Sequence, residues 1–283
     1  MEKRMLCLDI GGTHISAALI TKDNQKLENL RHERSPVDSM ADKGTILQQW
    51  DAGIQKTLGQ DSIALDAIYV SIPGPFDYEN GISLMDGMHK YQSILNMDVK
   101  TFLCDKYNVA KEHIYFYNDA QAFLLGEVYH FNLYDQKVVG LTLGTGLGSA
   151  IYEEHEVKDL NYGSAQFRSG ISEDYISTRG MITYINTAYN SQFKEVKELV
   201  TSDKYINERK DAFSFLSQAL VDFVEDHIIS LNPNCIVLGG SISKSHHLFL
   251  DQLEKYIQIP IRIASMDEQN LFFGMISYSE AIK

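Results

Sequence analysis

The chain carries one pattern twice. The stretch "LDIGGTHISAALI", from Leu8, lies over "LTLGTGLGSAIYE", from Leu141, without a gap, so that Ser16-Ala17 falls on Ser149-Ala150. Each copy reads as an apolar strand, a turn of Gly and Thr, and a second apolar strand. A repeat so long and so far apart predicts two similar domains, each opened by a β-hairpin, rather than a solenoid. Around it, strand patterns at 4–10, 15–21, 66–72, 114–118, 138–143, 148–153, 235–239 and 261–265 are interleaved with helical patterns. The helical patterns fall at 40–58, 98–107, 119–130, 173–188, 211–230, 244–257 and 268–282. Such alternation is the mark of an α/β fold with a mixed sheet.

Composition removes several classes of function. No run approaches the ~18 apolar residues of a membrane span, so no membrane partner is expected. The formal charge is −13, with no cluster of Lys and Arg to track phosphates, which argues against a nucleic-acid partner. The opening "MEKRMLCLDI" enters a strand with no secretory pattern, and a cytoplasmic protein is the expectation. Cys7, Cys104 and Cys235 stand apart within apolar stretches and read as reduced core thiols.

The glycines of the repeat need a reason, because Gly weakens a strand. A turn of Gly and Thr bares backbone N–H groups, keeps any Cβ out of a ligand's way, and adds a hydroxyl donor. Two such turns, Gly11-Gly12-Thr13 and Gly144-Thr145-Gly146, can grip a polyphosphate from two sides. The competing explanation is a tight hairpin in which Gly supplies a positive φ. Repetition, and Asp9 just before the first turn, favour the ligand. The spacing is not that of a P-loop, nor of a Rossmann turn, which opens a helix. A third element, "NPNCIVLGGSIS", ends a buried strand in Gly239-Gly240; it suits either a nucleotide's base and ribose or close strand-to-helix packing.

In "IYFYNDAQAFLLGE", Asn118 and Asp119 fall where a strand ends and a helix begins. Asn and Asp are favoured helix caps, each stabilising by ~1 kcal/mol. A carboxylate there could also take a proton from a substrate hydroxyl, with Asn118 orienting that substrate, though this stretch alone favours the cap. The turn Pro73-Gly74-Pro75, followed by Asp77, reads as a rigid wall beside them.

Together these motifs, with "VSIPGPFD" and "GISEDYIS", resemble in order and spacing those of the ROK family, bacterial sugar kinases and sugar-responsive repressors. The likeness extends from Leu8 to about Ser243. It implies two actin/hexokinase-like (ribonuclease H-like) domains with an ATP and sugar cleft between them. Residues 1–117 would form a small domain completed by the C-terminal helix 268–283, and 118–267 a large one. By position, Gly11, Gly12, Thr13, Gly144, Thr145 and Gly146 would hold ATP phosphates. Asp9 would act on Mg2+ through water, and Gly239 and Gly240 would border the adenosine. Asn118, Gly74 and Glu173 would bind the sugar, and Asp119 would be the catalytic base. A homodimer is the assembly such a likeness suggests.

The chain also departs from the family pattern. Its G-E-x-G-H motif and zinc-binding cysteine loop correspond to "SAQFRSGISEDYIS". Gln166 stands for the glutamate, Ser169 for the histidine and Ile171 for the last cysteine. No structural zinc is expected, because no Cys/His cluster remains. Gln166 keeps an acceptor and two donors but no charge, which leaves the sugar open among glucose, N-acetylmannosamine, another hexose or a β-glucoside. A sugar kinase is the first expectation, and a non-catalytic sugar- or nucleotide-binding protein is the alternative. A transcriptional regulator is disfavoured because the first strand begins within a few residues of Met1 and the chain is acidic.

Overall fold

The computed structural model describes residues 2–24, 26–59, 63–87 and 90–281. Two compact units emerge, Met1–Ala122 with Met275–Ala281, and Phe123–Gly274. Ile282 and Lys283, the end of the expected C-terminal helix, lie outside the described residues.

The first unit begins with strands β1 (Lys3–Ile10), β2 (His14–Asp23) and β3 (Lys26–Pro36). Helix α1 (Lys43–Leu58), strand β4 (Ala67–Ser71) and a short hairpin of β5 (Phe76–Asp77) and β6 (Ile82–Ser83) follow. Helix α2 (Val99–Tyr107) and strand β7 (Ile114–Tyr117) lead to helix α3 (Asp119–Phe131). The sheet order is β3-β2-β1-β4-β7: antiparallel through β1, β2 and β3, parallel across β1, β4 and β7. Ile46, Trp50 and Ile54 of α1 face Leu6, Leu8, Ile15 and Val70 in one buried cluster. Asp42 starts α1 by accepting the Thr45 N–H at 3.1 Å, and Asp98 starts α2 through Thr101 N–H at 2.7 Å.

The second unit repeats this plan. Strands β8 (Val138–Leu143), β9 (Leu147–Glu153) and β10 (Glu156–Asp159) form an antiparallel meander. A two-residue-stranded hairpin follows, β11 (Gln166–Phe167) with β12 (Gly170–Ile171), then helices α4 (Thr178–Tyr189), α5 (Val196–Thr201) and α6 (Ile206–Phe223). Strand β13 (Cys235–Gly239), helix α7 (Leu250–Tyr256), strand β14 (Ile261–Ile263) and helix α8 (Glu268–Ala281) are the last elements described, the end of α8 from Met275 being grouped with the first unit. The sheet order, β10-β9-β8-β13-β14, matches that of the first unit strand for strand.

The two hairpins differ by one residue. Ile10 pairs with Ile15 around Gly11–His14, whereas Leu143 pairs with Leu147 around Gly144–Gly146. Asp9 therefore faces Ser16, while Thr142 faces Gly148. The gapless alignment of Ser16-Ala17 on Ser149-Ala150 is thus out of register by one on the return strand, because a shorter turn closes the second hairpin sooner.

Other boundaries shift for readable reasons. Strand β3 escapes sequence detection because it is an edge strand, mostly exposed, with polar residues on both faces. The pattern at 173–188 becomes helix only from Thr178, after Ser177 caps it by accepting the Gly180 N–H at 3.1 Å. Cys7 and Cys235 are buried and Cys104 half-buried, and burial pushes the Cys7 thiol's pKa well up.

Within the second unit, α3 and α8 touch backbone to backbone. A Cβ on Gly126 would lie 2.7 Å from the Leu271 backbone, and one on Gly274 would lie 2.3 Å from that of Leu125. Neither obstacle can swing aside. Replacing Gly126 with Ala is expected to destabilise the chain by ~1–3 kcal/mol through overpacking, read as a lower urea midpoint. An unchanged midpoint would contradict this packing.

Candidate active site

Parallel strands set the first unit's site. Pairing of β1 with β4 and of β4 with β7 aligns Asp9 with Ser71 and Ser71 with Tyr117, so the carboxyl ends of three strands open side by side. The buried Ser71 hydroxyl donates to Asp9 Oδ1 at 2.6 Å. Asn118 and Asp119 follow directly at the start of α3.

Asn118 both caps α3 and reaches the turn after β4. Its Oδ1 accepts the Ala120 N–H at 2.8 Å, and its Nδ2 donates to the Tyr78 hydroxyl at 3.1 Å. That hydroxyl in turn donates to the Ile72 carbonyl at 3.2 Å. A Cβ on Gly74 would come within 3.1 Å of the same hydroxyl, so Gly74, Tyr78 and Asn118 form one cluster. Asp119 Oδ1 also accepts the Ala120 N–H, at 2.9 Å. The Asp119 side chain is reachable by solvent, yet the protein around it raises its pKa above the ordinary carboxylate value by desolvation. Lys90 and the Ala120 N–H pull in the opposite direction. A reachable carboxylate with an elevated pKa suits a general base better than a purely structural cap.

The glycines separate into three kinds. Gly11, Gly12 and Gly144 have no left-handed φ, and a Cβ on each would meet nothing closer than 3.5 Å. Neither conformation nor packing demands glycine there, and a bare backbone is what lets a ligand approach such a turn closely. Around Gly12 the nearest atoms to such a Cβ are Ser39 Oγ at 3.9 Å and Lys90 Cδ at 4.0 Å. Beside them, Ser39, Met40, Gly87, Gln92 and Ser93 line a hollow of about 210 Å³. The exposed Thr13 hydroxyl lies 2.8 Å from His14 Nδ1.

Gly239 and Gly240 are different. A Cβ on Gly239 would strike the Phe123 ring at 2.3 Å, while Gly240 has φ +86 and abuts the Leu143 carbonyl. Close packing accounts for both. Gly146 belongs to a third situation, because a Cβ there would lie 2.6 Å from Glu173 Oε2. Glu173 thus leans on the second turn, and its Oε1 accepts from Arg179 at 3.1 Å. Thr145 is exposed at the tip of that turn.

Where the zinc loop of the expected pattern would stand, the chain makes the tight β11–β12 hairpin, with Arg168 and Ser169 at its tip. Arg168 pairs with Asp222 and lies over the rings of Phe167 and Tyr175, 5.2 and 5.1 Å from their centroids. Gln166 is exposed and donates to the Arg168 carbonyl at 3.2 Å within the same hairpin; Ser169 Oγ meets Tyr175 Oη at 2.7 Å. Among the described residues no group of three or more His, Cys, Asp or Glu side chains is arranged to hold a metal, and no helix is long and apolar enough to cross a membrane.

The model of the ROK family matches residues 5–163, more than half of the chain and the whole of the first hairpin-to-base segment. The chain belongs to the ROK family. Among relatives, the glucokinase of Thermotoga maritima is 22% identical over 294 residues, covering 90% of this chain and 87% of that protein. The N-acetyl-D-glucosamine kinase of Mannheimia succiniciproducens is 27% identical over 275 residues, covering 85% of each. Among solved structures, a ROK family glucokinase from Streptomyces griseus in complex with glucose and AMPPNP superposes with a TM-score of 0.71. It is 19% identical and covers 97% of this chain and 98% of its own. The two-unit α/β fold of this ROK chain is that of sugar kinase structures.

Sequence reasoning did not reach Ser71, Tyr78, Lys90 or Tyr91. Ser71 carries a usable signal, a serine closing an apolar strand just before the Pro-Gly-Pro turn; the others sit in a loop whose course only the fold reveals. The glycine classes can be checked without any ligand. Gly12→Ala is expected to change stability by no more than about 0.5 kcal/mol, as an ordinary surface substitution does. Gly240→Ala should cost at least ~1 kcal/mol because its conformation disfavours any side chain. Equal losses in urea denaturation would contradict the distinction.

Proposed function

We propose that this ROK protein is an ATP-dependent sugar kinase acting on the 6-hydroxyl of a hexose, with Asp119 as general base. The observation that carries the proposal is Asp119 itself, a reachable carboxylate of raised pKa at a helix start, in the same unit as a turn whose glycines answer to no packing need. Its family membership, and relatives that are glucokinases and N-acetylhexosamine kinases, support the same reaction.

In this reading the sugar lies against Asn118 and Gly74. Asn118 uses one amide hydrogen and one lone pair within the protein and retains one of each for sugar hydroxyls. Glu173 and Gln166 are assigned to the sugar by family position alone. Asp119 accepts the proton of the attacking hydroxyl, the hydroxyl oxygen bonds to the γ-phosphorus, and the bond from phosphorus to the β–γ bridging oxygen breaks to leave ADP. The transition state is loose, so positioning and charge neutralisation matter more than covalent assistance. Amides of Gly12 and Thr13 take up phosphate charge, while Gly11, whose N–H is donated to the His14 carbonyl at 2.9 Å, keeps the backbone bare. Gly144 and Thr145 offer a second bare turn to the nucleotide, and Gly146, against which Glu173 leans, is assigned there by family position. Gly239 and Gly240 are assigned to the adenosine side. Mg2+, bound through water by Asp9, would supply further charge neutralisation at the phosphates. The Ser71 hydrogen bond fixes the Asp9 carboxylate for that task. Arg168, its partner Asp222 and the rings of Phe167 and Tyr175 brace the β11–β12 hairpin.

A coupled ADP-release assay across hexoses, N-acetylhexosamines and β-glucosides tests the reading. Turnover on at least one sugar is expected, and Asp119→Asn should lower kcat by ~10²–10⁴-fold. Asp119 works deprotonated and its pKa is raised. Activity should therefore fall, as pH drops, at a higher pH than the ~3.9 of an ordinary aspartate. Nucleotide binding without turnover on any sugar would point instead to a non-catalytic sugar- or nucleotide-binding protein.

A further inference from the structure

Lys90 is a cation that the kinase reading leaves without a task. Its Cδ lies 4.0 Å from the position a Cβ on Gly12 would occupy, so the side chain runs alongside the phosphate-binding turn. The same lysine is the cation whose charge acts on the Asp119 carboxylate. Its placement is built into the fold by the next residue. The buried Tyr91 donates its N–H to the Ser39 carbonyl at 2.6 Å and its hydroxyl to the Gly11 carbonyl at 2.6 Å. Its ring rests on Trp50 of α1, with centroids 5.6 Å apart. Tyr91 thus pins the backbone next to Lys90 to the turn itself, and the half-buried lysine stem passes Gly12.

We propose that Lys90 is a catalytic residue whose ammonium meets the γ-phosphoryl group as it passes from ATP to the sugar hydroxyl. The inference rests on the kinase reading and deepens it. A cation beside the turn, with its charge felt at the base, has the position this transfer requires. The transferred group carries spread negative charge at the moment Asp119 takes the proton, the oxygen–phosphorus bond to the sugar forms and the bond to ADP breaks. A preorganised ammonium at that point acts in the transition state without reorganisation. The β-phosphate, one group further from Asp119, is left to the turn amides. Lys90 therefore separates ATP from ADP.

The test uses the full-length protein with Lys90→Met, which removes the charge and keeps the stem, and Lys90→Arg, which keeps the charge. Circular dichroism and thermal melting verify folding, and Lys90→Gln replaces the Met variant if that one fails to fold. Calorimetric titration with AMPPNP and with ADP, both with Mg2+, is the first readout. Lys90→Met should weaken AMPPNP at least about tenfold while leaving ADP within about threefold, and Lys90→Arg should recover most of the loss. On a sugar that the unmodified protein phosphorylates, Lys90→Met should lower kcat by ~10²–10³-fold, the scale of one lost oxyanion donor, with the sugar KM little changed. The acid limb of kcat/KM should also move to higher pH, because Asp119 loses the neighbouring cation that lowers its pKa. Equal effects on AMPPNP and ADP, or a kcat within about threefold of the unmodified protein, would overturn the proposal. The nucleotide titration needs no turnover. If no sugar is phosphorylated the kinase reading fails, while the AMPPNP-to-ADP ratio still decides for or against Lys90.

Discussion

The hydrogen bond from Ser71 Oγ to Asp9 Oδ1, 2.6 Å long, joins the carboxyl ends of two adjacent parallel strands, and the residues we propose for the first unit's chemistry lie at that same edge. It exists because the sheet order puts β1, β4 and β7 side by side and in one direction. Parallel pairing obliges the chain to leave each of those strands at the same edge. At that edge the Gly11–Gly12 turn, the Pro73–Pro75 turn and the start of α3 gather with no further instruction. A reversal of any one of these strands would send its loop to the opposite edge and separate Asp9 from Asp119.

The glycines of this chain are not all alike, and separating them marks the positions we propose for a ligand. At Gly126, Gly274, Gly239 and Gly240 a side chain would collide with backbone or ring atoms, or would sit at a positive φ. These positions are explained by the folded protein alone. At Gly11, Gly12 and Gly144 the surroundings would tolerate a methyl group, yet the chain has none. Sequence motifs cannot make this distinction, since GG reads the same at Gly11-Gly12 and at Gly239-Gly240.

Much of the plan was legible in the sequence because its signals are local. The apolar runs of β1, β4, β8 and β13 are buried nearly throughout, and the Asn118-Asp119 start of α3 uses ordinary capping chemistry. The repeat announced two like units, and their sheets share one strand order. Illegible parts depend on distant partners. Polar β3 is a strand only because β2 offers it an edge, and the one-residue difference between the hairpins is fixed by strand register. Tyr78 reaches Asn118, and Lys90 reaches Gly12, across long stretches of sequence that no periodicity connects. The cap at Asn118 leaves room for the base we propose at Asp119: the Ala120 N–H is shared between the two side chains.

Phosphorus NMR of a reaction containing this protein, Mg2+, ATP and an accepted hexose tests the central claim most directly, because it reports where the γ-phosphoryl group goes. Transfer to the sugar's 6-hydroxyl predicts a new phosphomonoester resonance coupled to the two protons of a CH₂ group, appearing as ADP accumulates. Release of inorganic phosphate alone, or a phosphomonoester coupled to a single ring proton, would contradict the account.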